Sequence, residues 1–168
     1  MNRSIQGQTQ LIELPTISLW QPWASWVAWG WKTIETRTHN RFASLIGQRI
    51  GIHAAKTFDP RARNMAGGYL SDGQARSAGR SGDTYPRGII CTALVKDYRV
   101  LIPDDAPRAL IECRTLRFGL FLEEVHKIDP PLRCKGRQGI WREICPSSVH
   151  GSYVTGVSLP KPSPLSKG

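Results

Sequence analysis

No apolar run in this chain approaches the roughly 18 residues that a membrane-spanning helix needs. The opening stretch MNRSIQGQTQLIELP lacks the continuous apolar core of a secretory signal. Both absences predict a cytoplasmic protein with no membrane partner. Cysteine is sparse and unpaired in sequence: Cys91, Cys113, Cys134 and Cys145 form no CxxC. That spacing argues against a zinc ribbon or a redox dithiol and leaves free, partly buried thiols as the expectation. Equally missing are GxGxxG after a strand, GxxxxGK[ST], HExxH and GxSxG, so no dinucleotide, P-loop, zincin or hydrolase-elbow chemistry is indicated. No cofactor and no metal are expected.

Negative charge is the other shortage. Against 13 acidic residues stand 23 lysines and arginines, a net charge of +10 and a pI near 10.0. Such an excess makes nucleic acid the default suspect as partner. The cations are dispersed through folded sequence: Arg49 to Arg87 holds seven basic and three acidic residues, and Lys127 to Arg142 five and one. A basic face is therefore expected, not a basic arm.

What is abundant is tryptophan, and it is concentrated. Five of the six lie in SLWQPWASWVAWGWKTIETR, residues 18–37, together with Lys32, Glu35 and Arg37. Aromatic area and ionisable groups delivered by one short segment suit a pocket for a flat polar ligand. Thr16 to Trp20 alternates and reads as a strand, and Pro22 opens a short helix over Trp23 to Trp29 that Gly30 ends. Trp23, Trp26, Val27 and Gly30 share a helical face, so most of these rings, Trp26 and Trp29 in particular, are expected in the core. Thr33 to Arg37 is a second strand. Side chains two apart share a face, so with Ile34 as the core contact, Thr33, Glu35 and Arg37 look toward solvent or a cleft.

Arg49 to Ala55 reads as a buried strand that delivers Lys56 at its end, with His53 on the face of Gly51 and Ala55. A histidine there reads first as a core residue. Asp59 to Met65 allows a short helix, and the Gly-, Ser- and Arg-rich remainder, 66–86, reads as a long basic loop. Gly88 to Leu101, Thr115 to Ile128 and Gln138 to Ile144 are further strands, with about one helical turn in PDDAPRALIEC. Five to six strands with two or three short helices, mostly non-local in pairing, predict an α+β domain on a small twisted or closed sheet. A chain of 168 residues is most simply one domain. It is expected over 15–145, after a flexible lead-in of residues 1–14 and before a Ser/Pro-rich tail of 146–168.

Five ordered motifs carry a resemblance: SLWQPWASWVAWGWKTIETR, GIHAAK at 51–56, YPRGIICTALVKD at 85–97, FGLFLEEVHKI at 118–128 and CKGRQGIWRE at 134–143. Together they resemble the ASCH domain, of the PUA-like superfamily of small β-barrel nucleic-acid-binding domains. The resemblance implies a cleft that works on RNA or its components. It matches the GxKTxExR signature to Gly30, Lys32, Thr33, Glu35 and Arg37, and the strand-end lysine to Lys56. One branch of such proteins resembles an amidohydrolase on N4-acetylcytidine; its lysine matches Lys32, but its catalytic threonine falls where this chain has Glu35. Other members resemble ribonucleases, and others are binding modules.

Two functions follow as expectations. The leading one is an RNA- or nucleoside-binding domain, with DNA as a lesser partner, in which Trp20 and Trp23 stack on a base. Gln21 and Glu35 then read its edge, while Arg37, Lys56, Lys135 and Arg137 hold phosphate or sugar. The alternative is a hydrolase with Lys32, Thr33 and Glu35 as the catalytic set, or a metal-independent ribonuclease in which His53 or Lys56 acts with Arg37.

Overall fold

A computed structural model of the chain describes residues 10–78 and 85–150. Residues 1–9 of the lead-in, 79–84 of the loop and 151–168 of the tail lie outside the described residues. Six strands form one sheet: β1 (Leu11–Gln21), β2 (Ile34–Arg37), β3 (Arg49–Phe58), β4 (Gly88–Val100), β5 (Phe118–Leu132) and β6 (Ile140–Pro146). Their spatial order is β2-β5-β4-β3-β1-β6. Only β1 and β3 run parallel among these pairs. The sheet curls into a half-barrel with few short helices, an α+β fold of the small PUA-like barrel kind.

The first strand begins at Leu11, not at Thr16, so 11–14 belong to the sheet and not to a flexible lead-in. The cause is non-local. Leu11 to Ile17 pairs antiparallel with Ile140 to Pro146, and Leu14 is fully buried against Ile89, Trp141 and Cys145. Alternation that starts late in a short window conceals such a partner.

Among the described residues four short α-helices accompany the sheet: α1 (Trp23–Ala28), α2 (Ala62–Ala66), α3 (Asp72–Ser77) and α4 (Ala106–Ala109). The third corrects the reading of 66–86 as plain loop. Ser71 accepts from the Gln74 backbone N–H, and the Gln74 side chain accepts from the Ser71 N–H, a capping box that stabilises a start inside polar sequence. Apolar alternation drives the main core, where Ile17, Leu19, Val27, Ile50, Ile52, Val95, Leu120 and Leu122 meet inside the curl. Trp26 is completely buried against Ala62, Ala66 and Leu110, as its helical face predicts. Trp29 departs from expectation: it is 37% exposed and lies alongside Trp31 and Tyr85. No helix is long and apolar enough to cross a membrane among the described residues.

All four cysteines are free. Burial pushes the Cys91 thiol up to about 12, which leaves it inert at neutral pH.

Candidate functional site

Because β2 sits at one edge and β1 lies next to the other, curling brings two strands that share no hydrogen bonds to opposite sides of one opening. A cavity of about 320 Å³ lies there. The end of β1 supplies Ser18 and Trp20, α1 supplies Trp23, and β2 with its lead-in supplies Lys32, Glu35, Thr36 and Arg37. Asp59, Arg61 and Arg117 close the remaining sides.

The floor is a buried charge row. After α1, Gly30 at φ +75° reverses the chain, and the Lys32 backbone N–H donates to the Trp26 carbonyl. Lys32 is thereby folded inward, only 1% exposed. Its Nζ donates to the Ala109 carbonyl at 2.6 Å, lies 3.6 Å from Glu35 Oε2 and 5.2 Å from the centre of the Trp23 ring. Glu35 Oε1 accepts from Arg37 Nη1 at 2.5 Å. Burial lowers the Lys32 pKa from its ordinary 10.5; Glu35 opposes that shift, and Arg37 and Arg117 add to it. A carboxylate thus lies between two cations, one of which stands over the Trp23 ring.

Not every expected residue joins it. Thr33 precedes the strand, and its Oγ1 accepts from Arg108 Nε at 3.1 Å, away from the cavity. The face shared by Glu35 and Arg37 does not extend to it, so of the catalytic set Lys32, Thr33 and Glu35 only the first and last come together. Gln21 is also spent elsewhere. Its Oε1 accepts from the Ser25 N–H and its Nε2 donates to the Pro86 carbonyl, which anchors α1 to the start of β4. It lines neither cavity, and structure replaces base reading as its role.

A second cavity, of about 440 Å³, continues from the first and shares Ser18, Trp20 and Arg37 with it. His53, Lys56, Gly136 and Arg137 line it, so the strand end after GIHAA and the CKGRQG segment meet here. Lys135 lines neither cavity. His53 is a buried neighbour of Trp141, as a core reading has it, yet it also borders the cleft.

Sequence reasoning did not find Asp59, Arg61 or Arg117. Asp59 follows β3 and lies beside Trp23, whose Nε1 donates to its Oδ2 at 3.4 Å, and no local pattern marks that approach. Hydrogen bonds from the Arg61 side chain hold the Asp59 carboxyl below its ordinary 3.8, with smaller help from the Arg61 N–H and Trp23, against burial. A carboxyl depressed on folding stabilises fully above its unfolded pKa and loses that contribution as pH falls through the folded one. Stability is therefore expected to drop below about pH 4. In Asp59→Asn the loss should be shallower, as thermal unfolding midpoints between pH 6 and pH 2.5 will show. Arg61 is 73% exposed at its side chain, so solvent screens the pair and the effect is small.

No protein-family model matches the chain, and no curated protein does. Among solved structures it is similar to ASCH from Zymomonas mobilis, at 16% identity and a TM-score of 0.43 over 67% of this chain and 68% of that one. A single-residue variant of that protein aligns at 17% identity and a TM-score of 0.46, over 76% and 85%. A second variant aligns at 16% and 0.39, over 67% and 70%.

Proposed function

We propose that the chain is an ASCH-like domain that binds RNA or a nucleoside, taking a base in the first cavity and the attached sugar-phosphate along the second. The observation that carries this reading is their continuity through Trp20 and Arg37. Trp20 is 52% exposed at the junction and free to stack on a base. Glu35 offers acceptor oxygens to an amino or ring N–H, and Lys32 a donor to a carbonyl or ring nitrogen. Lys56 and Arg137 supply the cations that a phosphate needs. The resemblance of GWKTIETR and GIHAAK to the ASCH pattern points the same way. The amidohydrolase alternative has less support, since Thr33 stands outside the cavity that holds Lys32 and Glu35.

Short single-stranded RNA should bind with an affinity that falls as salt rises, with a slope of about −0.7 per phosphate neutralised. Trp20→Ala should weaken it about tenfold to a hundredfold, as loss of base stacking does. Fluorescence anisotropy at several salt concentrations measures both. If neither RNA nor DNA shows salt-dependent binding, the nucleic-acid role fails.

A further inference from the structure

Four buried side-chain polar atoms lack a hydrogen-bond partner among the described residues, and of these only His53 Nδ1 belongs to either cavity. The other ring nitrogen, Nε2, lies 3.3 Å from the Cys134 carbonyl. A carbonyl only accepts, so Nε2 carries the hydrogen and Nδ1 presents a bare lone pair. Burial lowers the His53 pKa from its ordinary 6.5, more than the Cys134 carbonyl and Glu143 raise it, and the ring is neutral at neutral pH. Unmet buried acceptors are uncommon in native proteins and call for an explanation.

The surroundings of that lone pair are specific. A Cβ built on Gly136 stands 2.6 Å from Nδ1, 2.4 Å from Cε1 and 3.0 Å from Ser18 Oγ. The Gly136 backbone therefore packs directly over the Nδ1–Cε1 edge, close enough that no side chain fits between them. Residues 135–139 are exposed, and among the described residues no backbone hydrogen bond outside the strands holds them. A ligand atom reaches Nδ1 only when this exposed segment moves aside. Lys56, Arg137 and Arg37 stand around the same cleft.

A neutral lone pair takes a hydrogen-bond donor, and the cations around it place an anionic group beside that donor. A phosphate oxygen carries no proton to donate and is repelled by Nδ1, whereas a hydroxyl donates to it. In an internal stretch of nucleic acid the only hydroxyl beside the phosphodiester is the ribose 2′-OH, the group that distinguishes RNA from DNA. We propose that the second cavity reads the 2′-hydroxyl, its O–H donating to His53 Nδ1 while Lys56 and Arg137 hold the adjoining phosphate, so that the protein selects RNA over DNA. This rests on the nucleic-acid reading above and names its substrate class.

The test compares three single strands of one sequence: RNA, DNA, and RNA with 2′-fluoro in place of each 2′-hydroxyl, which removes the donor but not the ribose-like pucker. RNA should bind about tenfold more tightly than either of the others, the worth of one good hydrogen bond. In His53→Gln the side-chain amide still reaches the Cys134 carbonyl but leaves nothing at Nδ1, and the RNA-to-DNA affinity ratio should fall toward one. Gly136→Ala, whose Cβ cannot stand 2.4 Å from Cε1 and so displaces the segment or the ring, should disturb the same contact with the histidine retained and lower the ratio likewise. Thermal melts confirm that each variant is folded. Equal binding of all three strands by the parent protein overturns the inference and leaves the nucleic-acid reading standing. An RNA preference that survives in both variants also overturns it, and no binding to any strand removes both readings together.

Discussion

Glu35→Ala is expected to destabilise the protein by about 3–5 kcal/mol, because it leaves a buried ammonium without its counter-charge. The Lys32 and Glu35 side chains are 2% and 7% exposed, too dry for water to replace the lost carboxylate. Lys32 keeps only the Ala109 carbonyl, and Arg37 loses its 2.5 Å partner. Burial already lowers the Lys32 pKa and Glu35 raises it, so removing Glu35 lowers it further. Where the folded pKa of a lysine lies below its unfolded value, the unfolded chain binds more protons and stability rises with pH. The deficit of Glu35→Ala should therefore shrink as pH rises from 7 toward 10. Lys32→Met, by contrast, removes the charge and keeps the bulk. It should cost about 1–3 kcal/mol, chiefly for the unmet Ala109 carbonyl, while Glu35 stays paired with Arg37. Urea unfolding of both variants at pH 7 and pH 9 decides the matter. A Glu35→Ala midpoint close to that of the parent means that the floor of the cavity is wet and offers no dry, preorganised site to a base.

Gly88→Ala is the second change expected to cost heavily, about 2–5 kcal/mol from backbone strain and overpacking together. Gly88 opens β4 at φ +95°, where a side chain is strained in any surroundings. An added Cβ meets the Leu132 carbonyl oxygen at 2.3 Å and its carbon at 3.0 Å, both backbone atoms of β5 that no rotamer change can move. Gly88 also pairs with Ala54 of β3, next to His53. Displacing this corner moves the strand that carries His53 and the chain that leads into Cys134 to Gly139. Urea unfolding and RNA titration should show lower stability together with weaker binding. A parent-like midpoint would mean that the β4–β5 corner relaxes freely, contrary to the contact geometry.

Part of the site is legible in the chain because it depends on neighbours in sequence. Alternation places Ile34 in the core and turns Glu35 and Arg37 to the cleft, although Thr36, which shares the parity of Ile34, also borders the cavity. Helical spacing buries Trp26 for the same local reason. Where a residue lies just outside its element, that reasoning breaks down. Thr33 has the right parity but precedes the strand and bonds Arg108, and Gln21 has the right chemistry but caps the turn into α1. Trp29 ends the helix on the side where no apolar layer covers it fully.

The strand-rich α+β character, the basic charge and the cleft-facing Glu35 and Arg37 follow from composition or from period-two geometry over a few residues, whereas Lys32 turns inward because Gly30 reverses the chain after α1. That Asp59, Arg61 and Arg117 share the first cavity, that Leu11 to Leu14 belongs to the sheet and that Gly136 packs on His53 are properties of the folded chain alone. These depend on pairings far apart in the chain, such as Ile12 with Cys145, and on the curl that brings β1 and β2 across one opening. Contacts of that range are set by burial of the whole apolar surface at once, which no local window of residues contains.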